Sequence, residues 1–307
     1  RGSLGSSKDA ADSESKFFNI SEFGGDVKLT FPRIIFPINT EKLIPKYMSP
    51  STSVSFGASL QNNIGLDRQT ISGIYNYRWK PSKILTYQVD LLNLQYVRNL
   101  NVENYYNVYK SSYNRLNEIA QSLNYDFNNP NTNPTLEIPD ETEDFILDVL
   151  NQNIAADTDT FDEVLSIAER QARLTENNLI FASNITLTRD TRENINDNNF
   201  SRLRLKLESA GNVLSGISSL AGSQKNSAGN YRALGVVYSQ YIKPEIEYIK
   251  HWDIDGKNII AVRAFGGIAI PYGNSNSIPF TRSYFSGGAN DNRGWKAYDL
   301  SPGSSGS

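Results

Sequence analysis

Cysteine is absent from the 307 residues, and histidine and methionine occur once each, at His251 and Met48. Without cysteine there is no disulfide framework and no thiol nucleophile. With one histidine there is no Cys/His zinc site and no histidine-centred catalytic triad. Charge of one sign is missing as well: 30 basic residues stand against 33 acidic ones, for a net charge of −3. A nucleic-acid binder normally carries a basic surplus, so nucleic acid is not an expected partner. No apolar run approaches the roughly 20 residues of a membrane-spanning helix. No secretory signal opens the sequence, and Arg1 in place of methionine is expected of an excerpt from a longer protein.

What is present is aromatic and patterned. There are 17 Tyr, 14 Phe and 21 Gly residues. From Gly25 the side chains alternate, with Val27, Leu29 and Phe31 against Lys28 and Thr30. The same period of two recurs over 53–60, 71–79, 85–98, 179–189, 200–213, 236–252 and 258–270. Eight such segments predict an all-β protein. Within 85–98 the apolar phase slips at Leu91–Leu92, which predicts a β-bulge.

The alternate face carries Lys28, Arg78, Arg98, Arg202, Arg204, Lys206, Glu245, Glu247 and Arg263. Charges at that density need open solvent or a wide wet interior. The residues alone therefore leave two classes: a soluble sandwich with its charges outside, or a membrane barrel with an apolar exterior and a water-filled lumen. Tyr77, Trp79, Tyr96, Tyr248 and Trp252 near strand ends suit the interfacial aromatic girdle of the second.

Residues 99–176 break the alternation. Tyr105, Tyr109, Tyr113, Leu116, Ile119 and Leu123 recur at helical spacing. Asp140 with Glu143, and Thr160 with Glu163, read as capping boxes opening two more helices. The segment holds 15 acidic and 4 basic residues, a balance of −11 in a chain whose remainder is +8. This is the pattern of a solvated acidic domain.

Near the C-terminus comes Phe285-Ser286-Gly287-Gly288-Ala289-Asn290-Asp291-Asn292-Arg293-Gly294-Trp295, followed by Leu300-Ser301-Pro302-Gly303. This resembles the signature loop of the BamA/TamA superfamily of outer-membrane assembly and translocation barrels. Its approach, Ile268-Ala269-Ile270-Pro271-Tyr272-Gly273 with Ile278-Pro279-Phe280, is similar too. Leu29-Thr30-Phe31-Pro32-Arg33 and the long helical insert look most like the TamA-like (TamL) members of Bacteroidota. The resemblance covers about residues 16–303. Asn292, Trp295 and Ser301 depart from the family pattern, but the Arg-Gly-aromatic core is intact.

The resemblance implies a fragment of a 16-stranded antiparallel transmembrane β-barrel with a helical extracellular loop insert. Residues 1–98 would hold about the third to seventh strands, 99–176 the insert, 177–271 about the eighth to eleventh strands, and 272–307 a signature loop folding into the lumen. Arg293, Gly294 and Trp295, with Gly287 and Gly288, would lock that loop. Arg202, Arg204, Lys206 and Arg263 are candidates for the lumen lining. The implied partners are outer-membrane lipids, nascent outer-membrane proteins as substrate, and periplasmic or lipoprotein accessory subunits. The implied location is the Gram-negative outer membrane, with the insert outside the cell and the seam strands absent from this chain.

The remaining features read more plainly. Gly287-Gly288 lacks the strand–helix context of a phosphate loop. His251 has no second ligand of its kind. Asp157, Asp159, Asp162 and Glu163 lack the register of a calcium loop. The tyrosines over 105–113 read as the packed face of a helix, and no cofactor or catalytic group is expected. A passive or two-partner secretion pore, and a surface β adhesin using 99–176, are the other readings the residues allow.

Overall fold

The computed structural model describes residues 2–5, 20–63, 67–128, 134–226 and 229–284. The strands are β1 (Gly2–Gly5), β2 (Ile20–Phe31), β3 (Ser51–Asn63), β4 (Asp67–Ser82), β5 (Leu85–Leu100), β6 (Asn178–Asp190) and β7 (Ser201–Ala210). They continue as β8 (Arg232–Ala233), β9 (Val236–Val237), β10 (Tyr241–Asp253), β11 (Ile259–Gly267) and β12 (Ile270–Pro271). One antiparallel sheet runs in the order β1-β2-β3-β4-β5-β6-β7-β10-β11, with β12 added against β10 and β8–β9 forming a separate hairpin. Its eight long strands are the eight alternating segments of the sequence.

The sheet is inside-out by the standards of a soluble protein. Cross-strand register puts Leu29, Val54 and Tyr75 in one row, and Ile185, Leu207 and Pro244 in another, all on one face. Val27, Leu29, Phe56, Ile185, Ile246, Tyr248 and Val262 on that face are exposed. On the opposite face Asp90, Asn184, Glu208 and Lys243 are buried. In water each large apolar side chain left outside forfeits about 1.5–3 kcal/mol of burial. Solvation by lipid removes that penalty, which selects the membrane barrel from the two classes the residues allowed.

The bulge lies where the phase slip placed it. Leu92 pairs with Tyr75 and Asp90 with Asn76, so Leu91 has no partner on β4. On the other side Leu91 and Leu92 face Ser183 alone, whose hydroxyl donates to the Leu91 carbonyl at 2.8 Å. The extra residue keeps Asp90 and Asn93 both on the polar face. The same parity corrects one assignment. Arg98 follows Leu94 and Tyr96 and sits opposite Gln69, so it lies on the apolar face, at the strand end.

The insert contains α1 (Tyr105–Val108), α2 (Lys110–Ser122), α3 (Asp140–Leu150) and α4 (Thr158–Thr175). It has its own core, in which Tyr105, Tyr106, Leu116, Phe145, Val149 and Val164 are almost fully buried. Burial lifts the Tyr105 hydroxyl to about 12. Neither capping box forms. Asp140 is the first helical residue of α3, behind Pro139, and no side chain caps it. In α4 the cap is Asp157, which accepts from the Thr160 N–H at 2.9 Å; hydrogen bonding by the Thr160 side chain, and then by that N–H, holds its carboxyl below the usual pKa. Glu163 is instead engaged by Arg115, at 2.5 and 2.8 Å. Both boxes fail for one reason: each helix starts at or before the residue assigned as cap. Glu141, buried, accepts from the N–H groups of Asn128 and Glu137, both at 2.7 Å, and so ties these two residues to α3.

Two further differences lie at the insert end of the sheet. Strand β7 stops at Ala210, because Gly211 (φ 78°) turns the chain into α5 (Asn212–Leu220). Tyr238 does not extend β10. Leu234 and Gly235, both with positive φ, close the β8–β9 hairpin and draw residues 236–240 off the strand line. A Cβ at Gly211 would come within 2.5 Å of the Ser239 carbonyl oxygen. Gly211→Ala should therefore cost about 1–3 kcal/mol in backbone strain and add a backbone clash. The expected result is a lower urea midpoint and a lower heat-modification temperature of the full-length protein in detergent, with the insert still folded by circular dichroism.

Candidate functional site

Register gathers the charged residues of three strands into one lattice. On the polar face Arg202, Arg204, Lys206 and Glu208 of β7 lie opposite Ile249, Glu247, Glu245 and Lys243 of β10, and opposite Asp190, Thr188, Thr186 and Asn184 of β6. Strand β11 adds Arg263 diagonally. Opposite charges are interleaved across the strands, so most of them find a partner without leaving the face.

The ion pairs follow that arrangement. Arg202 meets Asp190 at 2.7 Å, Arg263 meets Glu247 at 2.6 Å, and Arg204 lies 3.8 Å from the same Glu247. Lys206 bridges Glu208 at 2.8 Å and Glu245 at 3.9 Å, while Lys243 reaches Glu245 at 3.4 Å. All four lumen candidates, Arg202, Arg204, Lys206 and Arg263, thus share this face. They do not share an environment. Side-chain exposure falls from 66% at Arg263 and 47% at Arg202 to 19% at Lys206 and 1% at Glu208, toward the insert end. Exposed pairs of this kind contribute about 0–1 kcal/mol each. A carboxylate as shielded as Glu208 costs far more if it lacks partners.

What covers the insert end is the segment that follows β11. Its apolar anchor is Ile278, packed against a small patch of Ile180, Ala182, Ala210 and Tyr241. Its polar anchor is Arg282, in a one-turn 3-10 helix whose N–H bonds back to the Pro279 carbonyl at 2.8 Å. The guanidinium donates to Asn93 Oδ1 of β5 at 3.0 Å and lies 3.6 Å from Glu208 of β7. The Arg282 carbonyl accepts from Lys243 Nζ of β10 at 2.8 Å. Glu208 also accepts from the Tyr241 hydroxyl at 2.7 Å, and Glu245 from the Tyr284 hydroxyl at 3.1 Å. The Lys243 ammonium sits 4.1 Å from the centre of the Tyr284 ring. One short segment is thereby moored across β5, β7 and β10.

Further along the polar face Asp90 accepts from Asn76 at 2.5 Å and from Asn184 at 2.6 Å, joining β4, β5 and β6. The approach to the moored segment is equally tied down. Asn274 Nδ2 donates to the carbonyls of Tyr231 and Tyr238, and its Oδ1 accepts from the Tyr231 N–H.

Arg293, Gly294, Trp295, Gly287 and Gly288 lie outside the described residues. Arg282 is the residue that sequence reasoning passed over. A signal was available: Arg282 is the lone charged residue between Arg263 and Asp291. His251 belongs to β10, and its ring stacks on Phe200 with centroids 4.4 Å apart. Asp157 and Glu163 of the acidic cluster are used as helix cap and ion-pair partner, and no metal-ligating group of three is found among the described residues.

If Arg282 and Glu208 act as one unit, their substitutions must not add. Glu208→Gln leaves two cations facing a neutral amide, and Arg282→Ala removes the cross-strand tie. The expected coupling in a double-mutant cycle, read from urea unfolding of the full-length protein in micelles, is about 1–3 kcal/mol. Simple additivity would show that the two residues stabilise the sheet independently.

The geometry so far is a barrel-type sheet with lipid-ready and water-ready faces, crossed on the polar side by the segment after its last long strand. Comparison with curated proteins gave no match. The sequence matches the Omp85 superfamily domain over residues 1–307, so the chain belongs to the Omp85 superfamily of outer-membrane β-barrel proteins.

Proposed function

We propose that this chain forms part of the barrel of an outer-membrane protein that assists the insertion, assembly or translocation of other outer-membrane proteins through a lateral seam. Membership of the superfamily supports the class of activity. The single observation that carries the mechanical part is the Arg282 mooring: a wall held from inside by charge-assisted bonds to β5, β7 and β10. In this reading the polar face lines the lumen, the complete barrel has 16 strands, and the seam strands lie outside this chain. The ends bearing the insert and the short turns face the exterior and the periplasm. The helical insert and Leu29-Thr30-Phe31-Pro32-Arg33 favour the TamA-like Bacteroidota group, with periplasmic or lipoprotein subunits as partners.

No catalytic residue is needed for such work. A client strand pairs with an exposed seam edge through main-chain hydrogen bonds. The driving force is the client's own folding and the burial of its apolar face in lipid, about 25 cal/mol per Å². The wall opposite a seam must keep its curvature while the seam opens, and an internal strut does this. Arg293 would add a second strut further along the same loop, through a bidentate guanidinium contact with the inner wall.

Depleting the full-length protein in its native host, followed by quantitative outer-membrane proteomics, tests the function. A broad early loss of unrelated β-barrel proteins is expected of a general insertase. Normal barrel levels with a defect confined to a few cargoes would narrow the role to specialised transport. For the loop, Arg293→Ala should lower heat resistance of the barrel and weaken the envelope against large antibiotics; unchanged values for both would remove Arg293 from the mechanism.

A further inference from the structure

The connector between β2 and β3, residues 32–50, is far longer than the turns beside it, and the structure shows where it goes. It does not hang free. The Ile35 carbonyl accepts from the hydroxyls of Tyr75 and Tyr77, at 2.8 and 2.7 Å. The Ile35 N–H donates to Thr52 Oγ1 at 2.9 Å, and that hydroxyl donates to the Arg33 carbonyl at 2.7 Å. Phe36 packs edge-on against Tyr77, with ring centroids 6.3 Å apart. Thr52, Tyr75 and Tyr77 belong to the apolar, outward face. The connector is therefore folded back over the outside of the sheet, at the end opposite the insert.

Beyond that anchor it presents the wrong side chains for water. Ile38, Leu43 and Tyr47 are 71%, 81% and 76% exposed. They are held out by a compact backbone: the N–H groups of Leu43 and Ile44 bond to the Thr40 carbonyl, and a 3-10 turn follows at Lys46–Met48. Arg33, Lys42 and Lys46 are exposed among them, with Glu41 the lone acid in the stretch.

We propose that residues 33–48 form a lipid-interface anchor, whose apolar tips enter the boundary between acyl chains and headgroups and whose cations contact anionic phospholipid headgroups. Three observations select lipid as the occupant. The anchor is continuous with the exposed apolar face of β3 and β4. Its apolar side chains and the cations Arg33, Lys42 and Lys46 are interspersed along one short stretch, the composition of an interfacial segment. Its net charge complements an anionic surface, where each Lys or Arg strengthens binding about fivefold. The inference rests on the barrel being seated in a bilayer and adds to it a built contact outside the strands.

These 307 residues hold no cysteine, and any elsewhere in the full-length protein is first replaced by serine. A nitroxide is placed at Leu43→Cys in the full-length protein, reconstituted into phosphatidylethanolamine/phosphatidylglycerol vesicles. Its accessibility to oxygen and to a water-soluble nickel chelate is then measured. Labels at Val27→Cys, mid-strand on the apolar face, and at Gln152→Cys, in the insert, mark the acyl and aqueous limits. The expected oxygen-to-nickel ratio at Leu43 is several-fold above that at Gln152 and below that at Val27. Lys42→Gln with Lys46→Gln, or phosphatidylcholine alone, should move it toward the aqueous value. A ratio at Leu43 equal to that at Gln152 overturns the anchor. So does a label shielded from both reagents, which would mean a covering protein. An aqueous value at Val27 would instead overturn the seating of the barrel itself, so the two failures are told apart.

Discussion

A carboxylate with 1% of its side chain exposed cannot be left to water, and the insert end of the sheet is organised around that fact at Glu208. Its charge is met by Lys206 on its own strand, by the Tyr241 hydroxyl on the next, and by Arg282 from the segment that follows β11. Removing one partner from a buried pair costs about 3–5 kcal/mol, more than the pair adds over an apolar substitute. The arrangement is therefore better understood as enforcing one geometry than as adding stability. The segment bearing Arg282 has one low-energy place to sit.

The rest of the molecule follows from the inversion of its faces. A strand with apolar residues outside and charges inside is stable only where lipid and water lie on opposite sides of one sheet. The exposure gradient along the polar face then has a simple origin. The arginines nearer the turn end, Arg202 and Arg263, pair in the open, and the charges nearer the insert end are covered by Ile278, Arg282 and Tyr284. The outward face is bounded at the turn end by aromatic and basic groups, among them Trp79 stacked on Tyr87 at 5.3 Å and Lys250 over Trp252. The folded-back connector belongs to the same boundary.

How much of this was legible depended on range. Period-two patterning located all eight long strands, and a single phase slip located the bulge at Leu91, because both are written in side chains a few residues apart. The insert's helices were legible for the same reason, but their starts were not. An Asp or Thr three residues before a Glu is common, and the cap actually used in α4, Asp157, is decided by where the chain enters the helix. Arg98 was misplaced because parity beyond a bulge must be counted from the bulge. The moored segment could not be read at all. Asn93, Glu208, Lys243 and Arg282 are scattered over 190 residues, and only the register of three strands brings them together.

Two guanidiniums on one loop raise the question of what the first contributes to the second. Backbone and side-chain bonds already tie the chain down as far as Ser275, through Tyr272 and Asn274. Counted along the sequence, Arg293 lies 18 residues beyond Ser275 and 11 beyond Arg282. Even for a fully flexible loop, shortening a span from 18 residues to 11 would save only about 0.4 kcal/mol of closure entropy, less than one neutral hydrogen bond of about 1 kcal/mol. Arg282 therefore does little to steer Arg293. Its contacts reach three wall strands, and their effect is to hold those strands in a fixed relation. The two arginines would then act in parallel, and losing either should leave the other's contacts in place while the wall between them softens.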